Sequence, residues 1–365
     1  MAAAYDFAIV GAGIAGASLA AGLAPHGRVL LLETEARPGY HATGRSAAFW
    51  TESYGGPLVQ PLTSASLGFL TEHALLADRG GLTLARADEA GGLANFARTF
   101  AALGVRVDLL DRAALEVRLP GLKNEWNCGA FEPDCRDIDV AGLHQLYLSG
   151  AKRGGAELWL RAELGTAERQ TAGWHLSMAD GRTASAQLLI NAAGAWADLV
   201  AERAGVAPLG LKPLRRTVVQ LRMGTPVPAD LPLVMGFDGS FYFKPEGGKL
   251  WLSPHDETLS PPCDAAPEEI DVATAIDRFE HVLDWPIVAL EHKWAGLRSF
   301  APDRLPVYGF DAAKPGFFWF AGQGGFGIQT APAAADLALG LLLGQVGGAV
   351  DPAPYAPGRF ADKRA

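Results

Sequence analysis

The sequence predicts an α/β fold. A Rossmann-like dinucleotide-binding domain, assembled from separated stretches, carries an inserted α+β domain built on an antiparallel sheet. Three observations carry this. The glycine fingerprint Gly11-Ala12-Gly13-Ile14-Ala15-Gly16 follows an apolar run at 5–10 and opens a small-residue helical run at 15–23. An apolar strand at 29–32 then ends in Glu33, completing a βαβ unit of about 30 residues. Near the other end, Gly322-Gln323-Gly324-Gly325-Phe326-Gly327 joins a strand at 317–321 to a long helix, while the middle of the chain alternates strands with Gly-containing turns.

Each glycine of the first motif has its own task. Gly11 permits the tight turn, Gly13 lets the backbone approach a pyrophosphate, and Gly16 lets helix and strand pack closely. The phosphate charge faces the N–H groups at Ile14 and Ala15, where the helix dipole favours it. Glu33 is positioned to accept hydrogen bonds from the adenosine ribose, and an acid there disfavours a 2′-phosphate, which argues against NADP.

The remaining elements follow in order. After a loop with Pro38, Gly39 and Gly44 comes a helix at 61–76. A polar, Gly-rich passage at 78–92 suggests a crossing between domains. Helices at 95–101 and 111–117 flank a short strand at 105–109. Residues 139–151 form a helix with Val140, Leu143, Leu146 and Tyr147 on one face. Strands at 158–160, 174–178 and 186–190 lead into Asn191-Ala192-Ala193-Gly194 and a helix at 196–204, a second turn that lets backbone come close to a ligand. Strands at 217–223, 241–244 and 249–253 follow, the last two joined by a turn at Gly247-Gly248. A helix at 267–283 starts with proline, and a strand at 287–294 leads to Gly296-Leu297-Arg298. The expected division is 1–82, 137–206 and 296–365 for the dinucleotide domain, with 83–136 and 207–295 for the substrate domain. An ordinary NAD dehydrogenase has no use for the terminal strand–glycine–helix unit.

Composition narrows the function. With 365 residues, 49% of them hydrophobic, the chain can bury a large core. A net charge of −9 excludes a sequence-independent grip on nucleic acid or anionic lipid. Three cysteines, Cys128, Cys135 and Cys263, without C-x-x-C, argue against a disulfide framework or zinc site; Cys128 and Cys135 read as buried free thiols rather than a pair. No metal cluster stands out. The apolar start lacks a basic leader and belongs to the first strand, and the run at 331–350 is broken by Asp336, Gln345 and glycines, so it reads as a core helix rather than a membrane span. The expectation is a cytoplasmic protein.

At this point the residues carry a resemblance. The strings are Ile14-Ala15-Gly16-Ala17-Ser18, Arg37-Pro38-Gly39-Tyr40-His41, Thr43-Gly44-Arg45-Ser46-Ala47-Ala48, Asn191-Ala192-Ala193-Gly194-Ala195-Trp196, Ser240-Phe241-Tyr242, Trp294-Ala295-Gly296-Leu297-Arg298-Ser299-Phe300 and Gln323-Gly324-Gly325-Phe326-Gly327-Ile328-Gln329-Thr330. In this order the chain resembles the FAD-dependent D-amino acid oxidase superfamily, and within it the bacterial D-arginine dehydrogenase type. The resemblance implies a DAO-type FAD-binding domain. The first glycine motif and Glu33 would hold the ADP half, and Ala42, Thr43, Arg45, Ser46, Ala47 and Ala48 would lie along pyrophosphate and flavin. Gly194, Gly324, Gly327 and Ile328 would complete the cofactor site, with backbone donors near the flavin pyrimidine. The flavinylating cysteine of covalent members has no match, so FAD is expected to be noncovalent.

For chemistry, the resemblance makes Arg216 and Arg298 carboxylate-binding arginines, whose parallel donors suit a planar carboxylate; Arg215 competes with Arg216. Tyr242 and Tyr54 would line the substrate site, with Thr51, Phe49, Gly325 and Gln329 near substrate or flavin. Two departures matter. The acid that holds a substrate guanidinium aligns with Gly81, with Asp78 or Glu52 as possible replacements, and a family histidine is replaced by Phe49, with Trp50 beside it. Both favour a neutral or apolar side chain. His255 is expected on the surface, with a base or proton relay as the alternative. The resulting expectation is an FAD-dependent D-amino acid dehydrogenase forming an imino acid and then a 2-oxo acid, passing electrons to a quinone-type acceptor or oxygen. An oxygen-using oxidase of glycine, sarcosine or proline type and a non-catalytic flavin-binding module are the alternatives.

Overall fold

The computed structural model of the chain describes residues 3–345 and 347–363. Its first sheet has a parallel centre in the order Glu157–Trp159, Val29–Leu32, Ala3–Val10, Thr183–Asn191 and Phe317–Ala321. Val307–Phe310 pairs antiparallel with the outer edge of Phe317–Ala321. The hairpin Leu164–Gln170 with Gly173–Met178 extends the start of Thr183–Asn191. Period-two alternation covers both faces. Phe7, Ile9, Leu31, Phe318 and Phe320 join one apolar cluster, whereas Ala8, Val10, Leu30, Leu32, Phe317 and Trp319 join the other. The first of these clusters packs under the helices Ile14–Leu23 and Ala331–Leu342, with Val140–Arg153 beside them. Ile14–Leu23 is apolar nearly all round, as suits a helix buried between others.

The second, nine-stranded sheet is built mainly of antiparallel pairs. Its spine is Lys212–Met223 against Ile287–Phe300, flanked by Lys249–Ser253, Tyr242–Glu246, Leu233–Gly236 and then Gly81–Ala85. Val272, Ala275 and Phe279 of the helix Glu269–Glu280 pack against Val219, Phe243 and Leu252 of this sheet. A small third sheet pairs Phe49–Trp50 and Leu76–Asp78 with Arg136–Ile138.

Several expectations shift. The passage at 78–92 is not a bare crossing, because Gly81–Ala85 is a fully buried strand inside the second sheet. The strand expected at 105–109 lies at Asp108–Asp111, where Asp111 caps the next helix by accepting from the Ala114 amide. The helix expected at 196–204 opens as a short 3-10 turn at Gly194–Trp196. The terminal helix stops at Leu342; residue 346 of the expected 331–350 run lies outside the described residues. The expected boundaries at 82/83 and 295/296 fall inside Gly81–Ala85 and Ile287–Phe300, two strands that lie wholly within the second sheet. Among the described residues no helix is long and apolar enough to cross a membrane.

Candidate functional site

The first two sequence motifs meet at the N-terminus of Ile14–Leu23. Gly11 turns at φ +102°, and a Cβ there would come within 2.5 Å of the Ala192 carbonyl oxygen. A Cβ on Gly16 would overlap the Gly11 carbonyl oxygen, so helix and turn are in direct contact. The Ile14 amide donates to Thr43 Oγ1 at 2.9 Å, and the Ala12 amide to Glu33 Oε2 at 3.0 Å. Thr43 thus ties the second loop to the helix end, while His144 Nε2 donates to the Ala12 carbonyl from below. Burial raises the Glu33 pKa, against the pull of the Glu35 and Ala12 amides.

A cavity of about 420 Å³ opens over this turn, within the range of ligand pockets. It is lined by Gly11, Gly13, Ile14, Ala15 and Glu33 at one end and by Ala42, Thr43, Arg45, Ser46, Ala47 and Ala48 along one wall. Gly194, Gly324, Gly327 and Ile328 also line it, and a Cβ on Gly194 would meet nothing within 4 Å. Only Gly16, among the expected cofactor residues, stands outside; its place is the helix contact. Arg45 lines the cavity and also makes contacts beyond it. Its guanidinium pairs with Asp264 and donates to the Ala265 and Ala295 carbonyls, at 2.9 and 3.0 Å, so its charge fastens the loop to the second sheet. Cys263, a free thiol, also reaches the cavity wall. A turn in which Gly11 and Gly16 leave no room for side chains, next to an acid at the end of the second strand, fits an FAD dinucleotide.

The opposite end of the cavity is formed by Phe49, Tyr54, Arg216, Tyr242, Arg298, Gly325 and Gln329. Arg216 and Arg298 lie on neighbouring strands, with Arg216 beside Gly296 and Leu214 beside Arg298. Strand alternation separates the two adjacent arginines. Arg215 faces the helix side and pairs with Glu268 and Asp271, whereas Arg216 faces the cavity. Arg216 Nε donates to the Asp256 carbonyl at 3.0 Å and Nη2 to the His255 carbonyl at 3.3 Å. Burial and the nearby Arg298 charge lower its pKa to about 10, so it remains cationic at neutral pH. Arg298 Nη1 donates to the Tyr54 hydroxyl at 3.2 Å. A Cβ on Gly325 would lie 2.7 Å from that hydroxyl and 3.0 Å from Arg298 Nη1. Phe49 stands edge-on to both Tyr54 and Tyr242, with centroids 5.4 and 6.3 Å apart. Tyr242 is buried, which raises its pKa and keeps the hydroxyl protonated.

Thr51 is corrected. It is fully buried, does not line the cavity, and its amide donates to Gln329 Oε1 at 3.4 Å. The Gln329 amide nitrogen donates in turn to the Thr51 and Tyr54 carbonyls and to Thr63 Oγ1. From the other side Glu132 accepts from the Ser53 hydroxyl at 2.6 Å and the Glu52 amide at 2.7 Å. These residues hold the turn that presents Tyr54. None of the three positions considered for a guanidinium-binding acid reaches the cavity. Gly81 lies against Cys135, Asp78 pairs with Arg136 while 95% exposed, and Glu52 accepts from Ser64 and Gln60. The lining carboxylates are Glu33, Glu35 and Glu163. Among the described residues no cluster suited to a metal occurs.

His255 is also corrected. It is partly buried, edge-on to Tyr242 with centroids 5.8 Å apart, and Nδ1 donates to the Gly239 carbonyl at 2.6 Å. Burial and the charges of Arg216 and Arg298 push its pKa down to about 3, so it stays neutral near neutrality. The unfolded chain takes up that proton below the ordinary histidine range and the folded chain does not, so stability falls as pH drops from about 6.5 toward 3. His255→Asn, which tolerates the local φ of +54°, is expected to flatten this slope in denaturation midpoints followed downward from neutral pH. An unchanged slope would assign the acid sensitivity elsewhere.

Sequence reasoning missed Glu257 and Arg304. Glu257 accepts from Arg298 Nη2 at 3.0 Å and from both terminal nitrogens of Arg304. Burial alone would raise its pKa, but Arg304, Arg298 and Arg216 together hold it below the usual carboxylate range. No local pattern marks this pair, which is 47 residues apart.

Comparison with known proteins agrees with this geometry. The model of the DAO family, described as FAD dependent oxidoreductase, matches residues 6–340. The glycine oxidase of Geobacillus kaustophilus is 26% identical over 379 residues, covering 98% of each chain. The crystal structure titled glycine oxidase from that organism superimposes with a TM-score of 0.84 at 24% identity, over 97% of this chain and 98% of that one. The L-proline dehydrogenase of P. horikoshii gives a TM-score of 0.87 at 20% identity over the whole of both chains. With a nucleotide cradle of the expected form and a family match across most of its length, the chain belongs to the DAO family of FAD-dependent oxidoreductases.

Proposed function

We propose that the protein oxidises an amino acid of small or neutral side chain, foremost a D-amino acid, at Cα. The product is an imino acid, which water hydrolyses to the 2-oxo acid and ammonia. The observation that carries this reading is the pair Arg216 and Arg298, set with Tyr54 and Tyr242 at the end of the cavity away from the nucleotide turn. When bound, FAD supplies the acceptor for the hydride that leaves Cα. The two guanidiniums offer the substrate carboxylate charge-assisted donors whose geometry fixes orientation as well as charge. The protonated Tyr242 hydroxyl adds a further donor, and Gly325 lies beside Tyr54 and Arg298, its backbone carbonyl being the acceptor proposed for the amine. Holding the reacting C–H in one orientation is the main contribution expected of these groups.

The same end of the cavity has aromatic rings and no lining carboxylate. A substrate guanidinium would lie there without a partner, a costly arrangement, so arginine is a poor substrate. A second reading, an oxidase of glycine, sarcosine or proline type, is favoured by the likeness to glycine oxidase and L-proline dehydrogenase. The deciding experiment mixes the FAD-loaded protein anaerobically with D- and L-alanine, D-arginine, glycine, sarcosine and L-proline, then admits oxygen. D-alanine is expected to bleach the flavin and D-arginine to leave it yellow. Preferred bleaching by glycine, sarcosine or L-proline moves the assignment to the second reading. No bleaching by any of them rejects amino acid oxidation, and the rate of reoxidation identifies whether oxygen serves as acceptor.

A further inference from the structure

Three guanidiniums converge on one carboxylate just behind the substrate end of the cavity. Glu257 Oε1 accepts from Arg298 Nη2 at 3.0 Å and Arg304 Nη2 at 2.8 Å, and Oε2 accepts from Arg304 Nη1 at 3.1 Å. Arg216 Nη2 lies 3.8 Å from Oε1. Arg216 and Arg298 line the cavity; Glu257 and Arg304 do not, and their side chains are 35% and 52% exposed. The backbone holds this arrangement under strain. His255 has φ +54° and Arg304 φ +67°, two of the four non-glycine residues with left-handed backbone among the described residues. Such residues persist only where their surroundings enforce them, and here one lies two residues from Glu257 and the other is its ion-pair partner.

We propose that Glu257 is a specificity-determining residue that limits the substrate to a single carboxylate. It acts through Arg298, as a positioning residue, and the proposal rests on the reading of Arg216 and Arg298 as the carboxylate-binding pair. Glu257 takes up the Nη2 donor of Arg298 and offsets part of the positive charge that Arg298 would otherwise present to a second substrate carboxylate. Its negative charge also lies close enough to repel such a group across a partly desolvated wall. The α-carboxylate, common to both substrate classes, meets the Glu257 charge in each, so the repulsion separates them only through the added carboxylate.

The test compares D-alanine with D-aspartate, and glycine with iminodiacetate, on the FAD-loaded protein. Each pair differs by one added carboxylate-bearing group. Glu257→Gln keeps size and an acceptor oxygen but adds one unit of positive charge. It is expected to raise the ratio of kcat/KM for the dicarboxylate over the monocarboxylate by about tenfold or more, mainly through KM. Glu257→Asp keeps the charge and the wild-type ratio. Arg304→Asn, tolerated at left-handed φ, removes a positive charge and shifts the ratio the other way. Calorimetric titration with acetate and malonate gives a second readout, in which Glu257→Gln tightens malonate binding by about threefold or more beyond its effect on acetate. A substrate ratio within about twofold of wild type, or equal losses for both classes, would overturn the proposal and leave Glu257 a structural anchor. If no amino acid reduces the flavin of the unmodified protein, the proposed function fails, while the acetate–malonate comparison still decides the role of Glu257.

Discussion

Arg298→Ala raises the substrate concentration needed for half-maximal flavin reduction by about a hundredfold or more, while FAD remains bound. The size follows from removing one side of a buried, hydrogen-bonded charge pair, which costs about 2–5 kcal/mol, and each 1.4 kcal/mol is about a factor of ten. Arg298 is 13% exposed at its side chain and lines the cavity, so water compensates little for its loss. The residues that form the nucleotide cradle, from Gly11 to Ala48 and at Gly194, make no hydrogen bond through Arg298. Glu257 retains Arg304, so no carboxylate is orphaned. Anaerobic stopped-flow reduction over a range of substrate concentrations, with the flavin-to-protein absorbance ratio as control, measures both parts. Unchanged kinetics would remove Arg298 from the substrate site, and loss of the flavin would make it structural.

Gly16→Ala has the opposite profile, with cofactor uptake lost before any question of substrate arises. The added Cβ would overlap the Gly11 carbonyl oxygen, with the Gly11 carbonyl carbon at 3.0 Å and Ile9 Cγ2 at 3.4 Å. The first two of these atoms belong to the backbone of the turn itself, so relief requires helix and turn to separate. Overpacking a core costs about 1–3 kcal/mol where side chains can move, and more is expected where backbone must. Separation would also break the Ile14–Thr43 hydrogen bond that joins the two halves of the cradle. Gly13→Ala is the milder comparison, because its Cβ would stand 3.2 Å from Thr43 Oγ1 and needs only a shift of tenths of an ångström. Flavin content after purification and thermal midpoint by flavin fluorescence separate the two. A Gly16→Ala protein that is yellow and melts normally would refute the close contact.

The opening βαβ unit was legible because its signals agree: apolar runs, small residues in the helix, and Glu33 at the end of the second strand. The substrate-end residues were reached through longer matching strings, and Arg216, Tyr242 and Arg298 line one cavity. What the sequence concealed has physical causes. Gly81–Ala85 starts at the second of two glycines, Gly80-Gly81, and is followed by charged residues, so it resembles a loop although the sheet buries it on both faces. Leu164–Gln170 mixes Glu168 and Arg169 into a hairpin strand with exposed positions and lacks an apolar run. Arg215 and Arg216 differ only in parity, which depends on pairing with a strand about 80 residues away. Thr51 is three residues from Tyr54 but points into the core under it. Proximity in sequence does not specify a face.

The Ile287–Phe300 strand joins the two ends of the cavity. Gly296 sits beneath the Arg45 loop, where an added Cβ would lie 3.4 Å from Arg45 Cβ, and Arg298 follows two positions later at the substrate end. Its irregular pairings are confined to the stretch opposite Gln220–Met223, while the ladder from Lys212 to Gln220 is regular. An insertion or deletion in the far half can therefore be accommodated by a local kink. The same change beside Gly296 would rotate every following side chain to the opposite surface, exchanging Arg298 for Leu297 or Ser299 and abolishing the carboxylate grip without altering a single residue type.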